Sequence, residues 1–85
     1  MHYVEDYADE FLENVKRLKR EDISLLARLE KKIDEILKNP EHYKPLRGKH
    51  KNKRRAHVGS FVISFRIAGN VVTFCSFKHH DDACQ

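Results

Sequence analysis

Between Lys53 and Phe77 two glycine-led dipeptides, Gly59-Ser60 and Gly69-Asn70, interrupt alternating runs of apolar and polar residues, and this restricts the fold more than any other stretch of the chain. Glycine and asparagine tolerate the positive φ that two-residue hairpin turns need, so each dipeptide predicts a tight antiparallel reversal. With the turns fixed, Val58 faces Phe61, Ala56 faces Ile63, Ile67 faces Val72 and Phe65 faces Phe74, and these side chains share one side of a three-stranded antiparallel sheet. The other side collects Lys53, Arg55, His57, Val62, Ser64, Arg66, Thr73, Cys75 and Phe77. A slip of one residue would exchange the two faces, so the pattern specifies its own register. One face is a core, and the other is an anion-binding platform carrying a titratable imidazole.

A core face needs a cover, and the first half of the chain provides one. Asp6 is a suitable N-cap, and Tyr7, Phe11, Val15 and Leu18 recur at helical spacing to about Lys19. A break near Glu21-Asp22 restarts the pattern with Asp22 as cap. Leu26, Leu29, Ile33, Ile36 and Leu37 then form a stripe ending at Asn39-Pro40, where proline disfavours helical geometry in the residue before it. Two helices with so short a link form an antiparallel hairpin, and His2-Tyr3-Val4 can add a strand at the sheet edge. From Glu41 to Asn52 the pattern is a polar loop with turn signals at Pro45 and Gly48. The expected fold is α+β, with an N-terminal helical hairpin on one face of a small antiparallel sheet, in a single domain spanning 1–85.

Charge separates along the chain as strongly as hydropathy does. Residues 1–42 hold eight Lys/Arg against eleven Asp/Glu, residues 43–85 hold nine against two, and no acid lies between Tyr43 and His80. The basic half therefore suits a polyanion, nucleic acid above all, while the helical half is solvated. No apolar run approaches the roughly 20 residues that span a bilayer, and Met-His-Tyr-Val-Glu-Asp lacks the basic and apolar regions of a signal peptide, which predicts a cytoplasmic protein without a membrane partner. Cys75 and Cys84, without a Cys-x-x-Cys, make no disulfide framework. His57, His79, His80 and Cys84 match no standard closed zinc site, so neither a metal nor another cofactor is expected.

The order of these elements, with the residues Leu46-Arg47-Gly48, Arg55-Ala56-His57-Val58-Gly59-Ser60-Phe61 and His79-His80-Asp81-Asp82-Ala83-Cys84, resembles the RelE/ParE superfamily of toxins from toxin-antitoxin pairs, in particular its RelE and YafQ-like ribonuclease members. The resemblance covers nearly the whole chain. It implies a cytoplasmic endoribonuclease that cuts mRNA, usually in the ribosomal A site, and is silenced by a cognate antitoxin. RelE members often carry an arginine after the Gly-x-aromatic turn, where this chain has Val62; YafQ-like members also lack it and depend on histidines, so the histidine-based variant fits better. Cys84 occupies the place of an aromatic that commonly closes the family's C-terminal motif and helps hold a nucleotide or assists proton transfer.

The chemistry of such a site can be argued from its residues. RNA carries its own nucleophile, so a metal-free ribonuclease needs a base for the 2′-OH proton, an acid for the leaving 5′ oxygen, and cations for the charged phosphorane. Imidazole, with an ordinary pKa of about 6.5, can do either proton job near neutrality. The candidates are His57, flanked by Arg55 on the same face, and His80, which the register returns to the Gly59-Ser60 turn; Asp82 is placed to orient an imidazole. Lys53, Arg55 and Arg66 are expected to hold the scissile phosphate, with Lys49, Lys51 and Arg54 tracking the RNA backbone and Lys78 and His79 extending the RNA surface. Strand parity puts His79 on the basic face, whereas the motif favours His80. The alternatives are a RelE/ParE-like chain that acts by binding an antitoxin or gyrase, with incidental histidines, and a nucleic-acid-binding module without chemistry.

Overall fold

The computed structural model describes residues 2–45 and 52–83, with the side chains of Asp82 and Ala83 outside the description. Strand β1 (Val4–Tyr7) leads into helices α1 (Asp9–Glu21) and α2 (Ile23–Lys38) and a 3-10 turn at Pro40–His42. Strands β2 (Lys53–Val58), β3 (Phe61–Ala68) and β4 (Val71–His79) and a short helix α3 (His80–Ala83) complete the chain. The sheet has the order β1-β4-β3-β2; β2, β3 and β4 form an antiparallel meander, and β1 adds to β4 in parallel.

Both hairpins turn where the glycines predicted. Gly59 and Gly69 have φ of 58° and 61°, and among the described residues no other type has positive φ. Positive φ at the first central residue alone is what a type II′ turn requires, so Ser60 and Asn70 need no left-handed backbone. The four predicted cross-strand pairs form as expected: Val58 with Phe61, Ala56 with Ile63, Ile67 with Val72 and Phe65 with Phe74.

Three expectations are corrected. Asp6 does not cap a helix and Tyr7 is not helical, because Asp6 and Tyr7 belong to β1, paired with Thr73 and Phe74. The cap of α1 is Ala8, with no side-chain bond. The four-residue spacing from Tyr7 to Phe11 misled because the Tyr7 ring stacks on both Phe11 (5.6 Å) and Phe74 (5.5 Å), joining strand to helix through one aromatic cluster. Burial, with help from the Glu5 carboxylate, pushes the Tyr7 phenol above its ordinary pKa. The second and third corrections have one cause. The register of β3 with β4 shifts between Ser64 and Phe65, so that Phe65 pairs with Phe74 and Ser64 with Ser76, leaving Cys75 as an extra residue in a bulge. Phe77 therefore turns to the helix side, opposite Ile63 and only 2% exposed, instead of onto the basic face. His79 follows it, opposite Phe61, where strand parity without the bulge had placed it on the basic side.

The helices bury one side each. Phe11 and Leu18 of α1, with Leu25, Leu29, Ile33 and Ile36 of α2, pack on Ala56, Val58, Ile63, Phe65, Val72, Phe74 and Phe77. Full burial of a phenylalanine such as Phe65 or Phe74 is worth roughly 1.5–3 kcal/mol, which fixes the register against slippage. Asp22 joins the helices alone: its amide donates to the Leu18 carbonyl at 2.8 Å, ending α1, and its Oδ1 accepts from the Leu25 amide at 3.0 Å, starting α2. Asn39 ends α2 ahead of Pro40, as the proline predicts. No described helix is long and apolar enough to cross a membrane.

Candidate active site

The pairings of the sheet lay out its helix-free face as three rows. The first runs Lys53, Arg66, Thr73, Asp6; the second Arg55, Ser64, Ser76; the third His57, Val62, Lys78. Arg55, His57 and Arg66 are exposed. Val62 is only 4% exposed although it belongs to this face, since His57 and Lys78 stand on either side of it. The row of His57 thus has an apolar floor between two nitrogen-bearing side chains.

His80 lies just beyond β4, against the Gly59-Ser60 turn. Its amide donates to the Ser60 carbonyl at 2.8 Å, and its Nδ1 lies 3.1 Å from the same oxygen, so the Gly59-Ser60 turn holds it by backbone and ring together. Its Nε2 is 3.0 Å from Oδ1 of Asp81. His79 and His80 would point to opposite sides in a continuing strand; the change to α3 between them brings the rings together, 4.4 Å between centroids. Asp81 serves both, with Oδ2 at 3.5 Å from Nδ1 of His79. These three residues can supply donors to a cation, one atom each, all within 4.8 Å of one another.

Of the residues expected from sequence, Lys53, Arg55, His57 and Arg66 stand together on one face, with His80 anchored at its edge. Arg54 lies on the other side of β2, opposite Phe65, and its Nη1 donates to the carbonyls of Tyr43 at 2.6 Å and Glu41 at 3.2 Å, so it ties the segment after α2 to the sheet. Lys78 is paired with Glu10 of α1 at 2.9 Å. His79 packs edge-on against Phe61 at 5.5 Å, next to a groove lined by Leu18, Leu25 and Phe77. Lys49, Lys51, Cys84, the Leu46-Arg47-Gly48 segment and the side chain of Asp82 lie outside the described residues.

Two residues of this region escaped the sequence reading. Asp81 is the carboxylate between the imidazoles, hidden because spacing alone cannot rank it above Asp82. Asp6 arrives from the acidic half of the chain, through β1, with its Oδ2 at 3.5 Å from Thr73 Oγ1. No local signal marks it, because its place on the basic face depends on the parallel pairing of β1. On the same row Arg66 Nη1 lies 3.9 Å from Cys75 Sγ, so the bulge meets the cationic surface.

Comparison with known proteins agrees with this architecture. The family described as ParE toxin of type II toxin-antitoxin system, parDE, matches residues 6–83. A protein of Methanocaldococcus jannaschii designated a candidate toxin, RelE4, is 38% identical over 71 residues, which cover 80% of this chain and 76% of that protein. Among solved structures, the RelBE2 toxin-antitoxin complex of Mycobacterium tuberculosis contains a chain similar in fold, with a TM-score of 0.80 at 18% identity over 93% of this chain and 99% of that one. A chain of the DinJ-YafQ toxin-antitoxin complex of E. coli is similar with a TM-score of 0.73 at 20% identity, over 96% of this chain and 97% of that one. The match over residues 6–83 and the relative at 38% identity place this chain in the ParE toxin family, within the RelE/ParE superfamily of type II toxin-antitoxin toxins.

Proposed function

We propose that this toxin is a metal-independent endoribonuclease that cuts mRNA, associated with the ribosomal A site, and that a cognate antitoxin silences it. The observation that carries the reading is the placement of two imidazoles at one edge of a cationic sheet face: His57 in its third row and His80 tied to the adjoining turn, with Lys53, Arg55 and Arg66 across the same face. The guanidinium and ammonium groups bind the phosphates flanking the cut, and Arg55 and Arg66 stabilise the extra charge of the phosphorane. His80 faces acceptors at both ring nitrogens, the Ser60 carbonyl and the Asp81 carboxylate. His80 gives the proton to the leaving 5′ oxygen. His57, free on the exposed face, takes the proton from the 2′-OH. Antitoxins that share complexes with toxins of this fold support a partner here, one that covers the basic face or displaces the C-terminal segment.

The test is product chemistry. Attack by the 2′-OH leaves a 2′,3′-cyclic phosphate and a 5′-hydroxyl, persists in chelator, and falls by about 10²- to 10⁴-fold in His57→Ala and in His80→Ala. A 5′-phosphate product, abolition by chelator, or undiminished cutting by the double variant overturns the proposal. The ParE match itself favours a second reading, a toxin that acts by binding a protein such as gyrase. In that case purified protein cuts no mRNA with or without ribosomes, and both histidine variants remain toxic.

A further inference from the structure

We infer that His79, His80 and Asp81 form a binding site for a divalent late transition metal of the Zn²⁺ class, and that its occupancy shuts off proton transfer by His80. The metal site stands on geometry alone, whereas its inhibitory effect rests on the ribonuclease reading above.

Each imidazole stands from the Asp81 carboxylate at a spacing close to that of a coordination shell, and the rings need draw in only a little to share one ion. Around a tetrahedral Zn²⁺ with bonds of about 2.0–2.1 Å, neighbouring ligand atoms sit about 3.3 Å apart. Here Asp81 Oδ1 is 3.0 Å from His80 Nε2 and Asp81 Oδ2 is 3.5 Å from His79 Nδ1, with all three residues' donors inside 4.8 Å. Two imidazoles and one carboxylate supply three ligands and leave a position for water, a donor set that suits Zn²⁺ rather than Mg²⁺.

The support around His80 is also that of a metal ligand. Such histidines donate their other ring N–H to a carbonyl or carboxylate, which fixes the tautomer and the ring plane. Nδ1 of His80 meets the Ser60 carbonyl at 3.1 Å, which leaves Nε2, 3.0 Å from Asp81, as the nitrogen for a metal ion. At His79 the metal takes over a lone pair that now accepts only a long bond, 3.3 Å, from the Asp81 amide. All three side chains are open to solvent, so an ion can enter without unfolding the chain.

The gap between His80 Nε2 and the Asp81 carboxylate accepts either a proton or a metal ion. An ion held on Nε2 occupies the nitrogen that the acid step would use, so it competes with that step.

The experiment titrates the tag-free full chain with Zn²⁺ against a chromophoric chelator, beside His79→Ala, Asp81→Asn and, as a control away from the site, His57→Ala. The expected result is one ion per chain, with affinity unchanged in His57→Ala. His79→Ala and Asp81→Asn should weaken binding by more than the roughly 10- to 100-fold typical of losing a mere supporting contact. Both changed side chains are exposed, and an unchanged circular dichroism spectrum certifies the fold. Wild-type protein that fails to compete for Zn²⁺, or variants that bind as tightly as wild type, overturn the site. In the cleavage assay Zn²⁺ should inhibit and chelator should restore cutting, while Mg²⁺ does neither; cleavage indifferent to saturating Zn²⁺ overturns the inhibitory role. A chain that binds Zn²⁺ in this pattern but cuts no RNA upholds the site and refutes the ribonuclease reading instead.

Discussion

Asn14 is a polar side chain, 9% exposed, in the middle of a helix that otherwise buries Phe11 and Leu18 on the same side. Its reason is at the sheet edge. Strand β1 pairs with β4 as far as Tyr7 and Phe74, and the Ala8 amide then donates to the Phe74 carbonyl at 3.0 Å, after which the chain departs into α1. The rest of β4 has no strand on that side, and Asn14 Oδ1 accepts the Phe77 amide at 2.9 Å in its place. Asn14→Ala leaves that buried N–H unpaired, a loss of about 1–3 kcal/mol. Alanine returns up to about 0.7 kcal/mol as the better helix former, so a net loss of about 0.3–2.3 kcal/mol is expected. Its upper end is a large part of the roughly 5–15 kcal/mol that holds a domain together, and at about 4–8 °C per kcal/mol the loss lowers Tm by roughly 1–18 °C in a chain this small. The assay is urea unfolding followed by circular dichroism, in a His57→Ala background so that toxicity does not limit expression. Hydrogen exchange at the Phe77 amide supplies the local readout, since its protection should fall further than that of Phe65. Asn14→Asp retains the acceptor and should keep the protection. Alanine as stable as asparagine, with Phe77 protection unchanged, would refute the reasoning.

The two turn glycines make a matched pair. Both have positive φ, but a Cβ on Gly59 would lie 2.9 Å from the Arg28 guanidinium while one on Gly69 meets nothing within 4 Å. Because the end of an arginine side chain moves easily, Gly59→Ala and Gly69→Ala should destabilise alike, by about 1–3 kcal/mol from the backbone; only Gly59→Ala should also lower cleavage, since its turn carries the Ser60 carbonyl that holds His80. A large drop in cleavage with Gly69→Ala and none with Gly59→Ala would contradict that link. Deleting Cys75 removes the extra residue and leaves Phe65 with Phe74, Ser64 with Ser76 and Ile63 with Phe77, so the chain should still fold, while the lost local twist should slow cleavage. An unfolded deletion variant, seen by circular dichroism, would show that the bulge itself holds the sheet.

Much of the fold could be read from residues whose effects are local. Gly59 and Gly69 set two turns, the turns set the register, and Asp22 and Pro40 marked helix ends, each through backbone geometry of its own. What escaped were features decided at a distance. Tyr7 is in a strand because β4 is there to pair with it, and no periodicity within six residues of the N-terminus could report that partner.

The bulge is the most instructive miss, because it lies between the legible fold and the less legible site. Alternation breaks at Phe74-Cys75-Ser76-Phe77, where two phenylalanines stand three apart, but that spacing alone does not say whether Phe77 changes face or an extra residue restores it. The demand comes from the two faces together: Phe74 must meet Phe65 and Phe77 must meet Ile63, both on the helix side, and three residues of separation on β4 against two on β3 cannot satisfy both without one residue left over. Burial of Phe77 beneath Phe61, stacked at 5.1 Å, outweighs the disrupted ladder at Cys75. The site inherits the consequence. With its parity reset, β4 sends His79 to the helix side beside Phe61, and the turn into α3 then brings His80 back to Ser60 with Asp81 between the rings. A regular strand ending at the same residue would have set His79 on the basic face in place of that arrangement. The candidate acid therefore owes its position to a packing requirement in the core, which is why motif and parity disagreed over the two histidines when only the sequence was read.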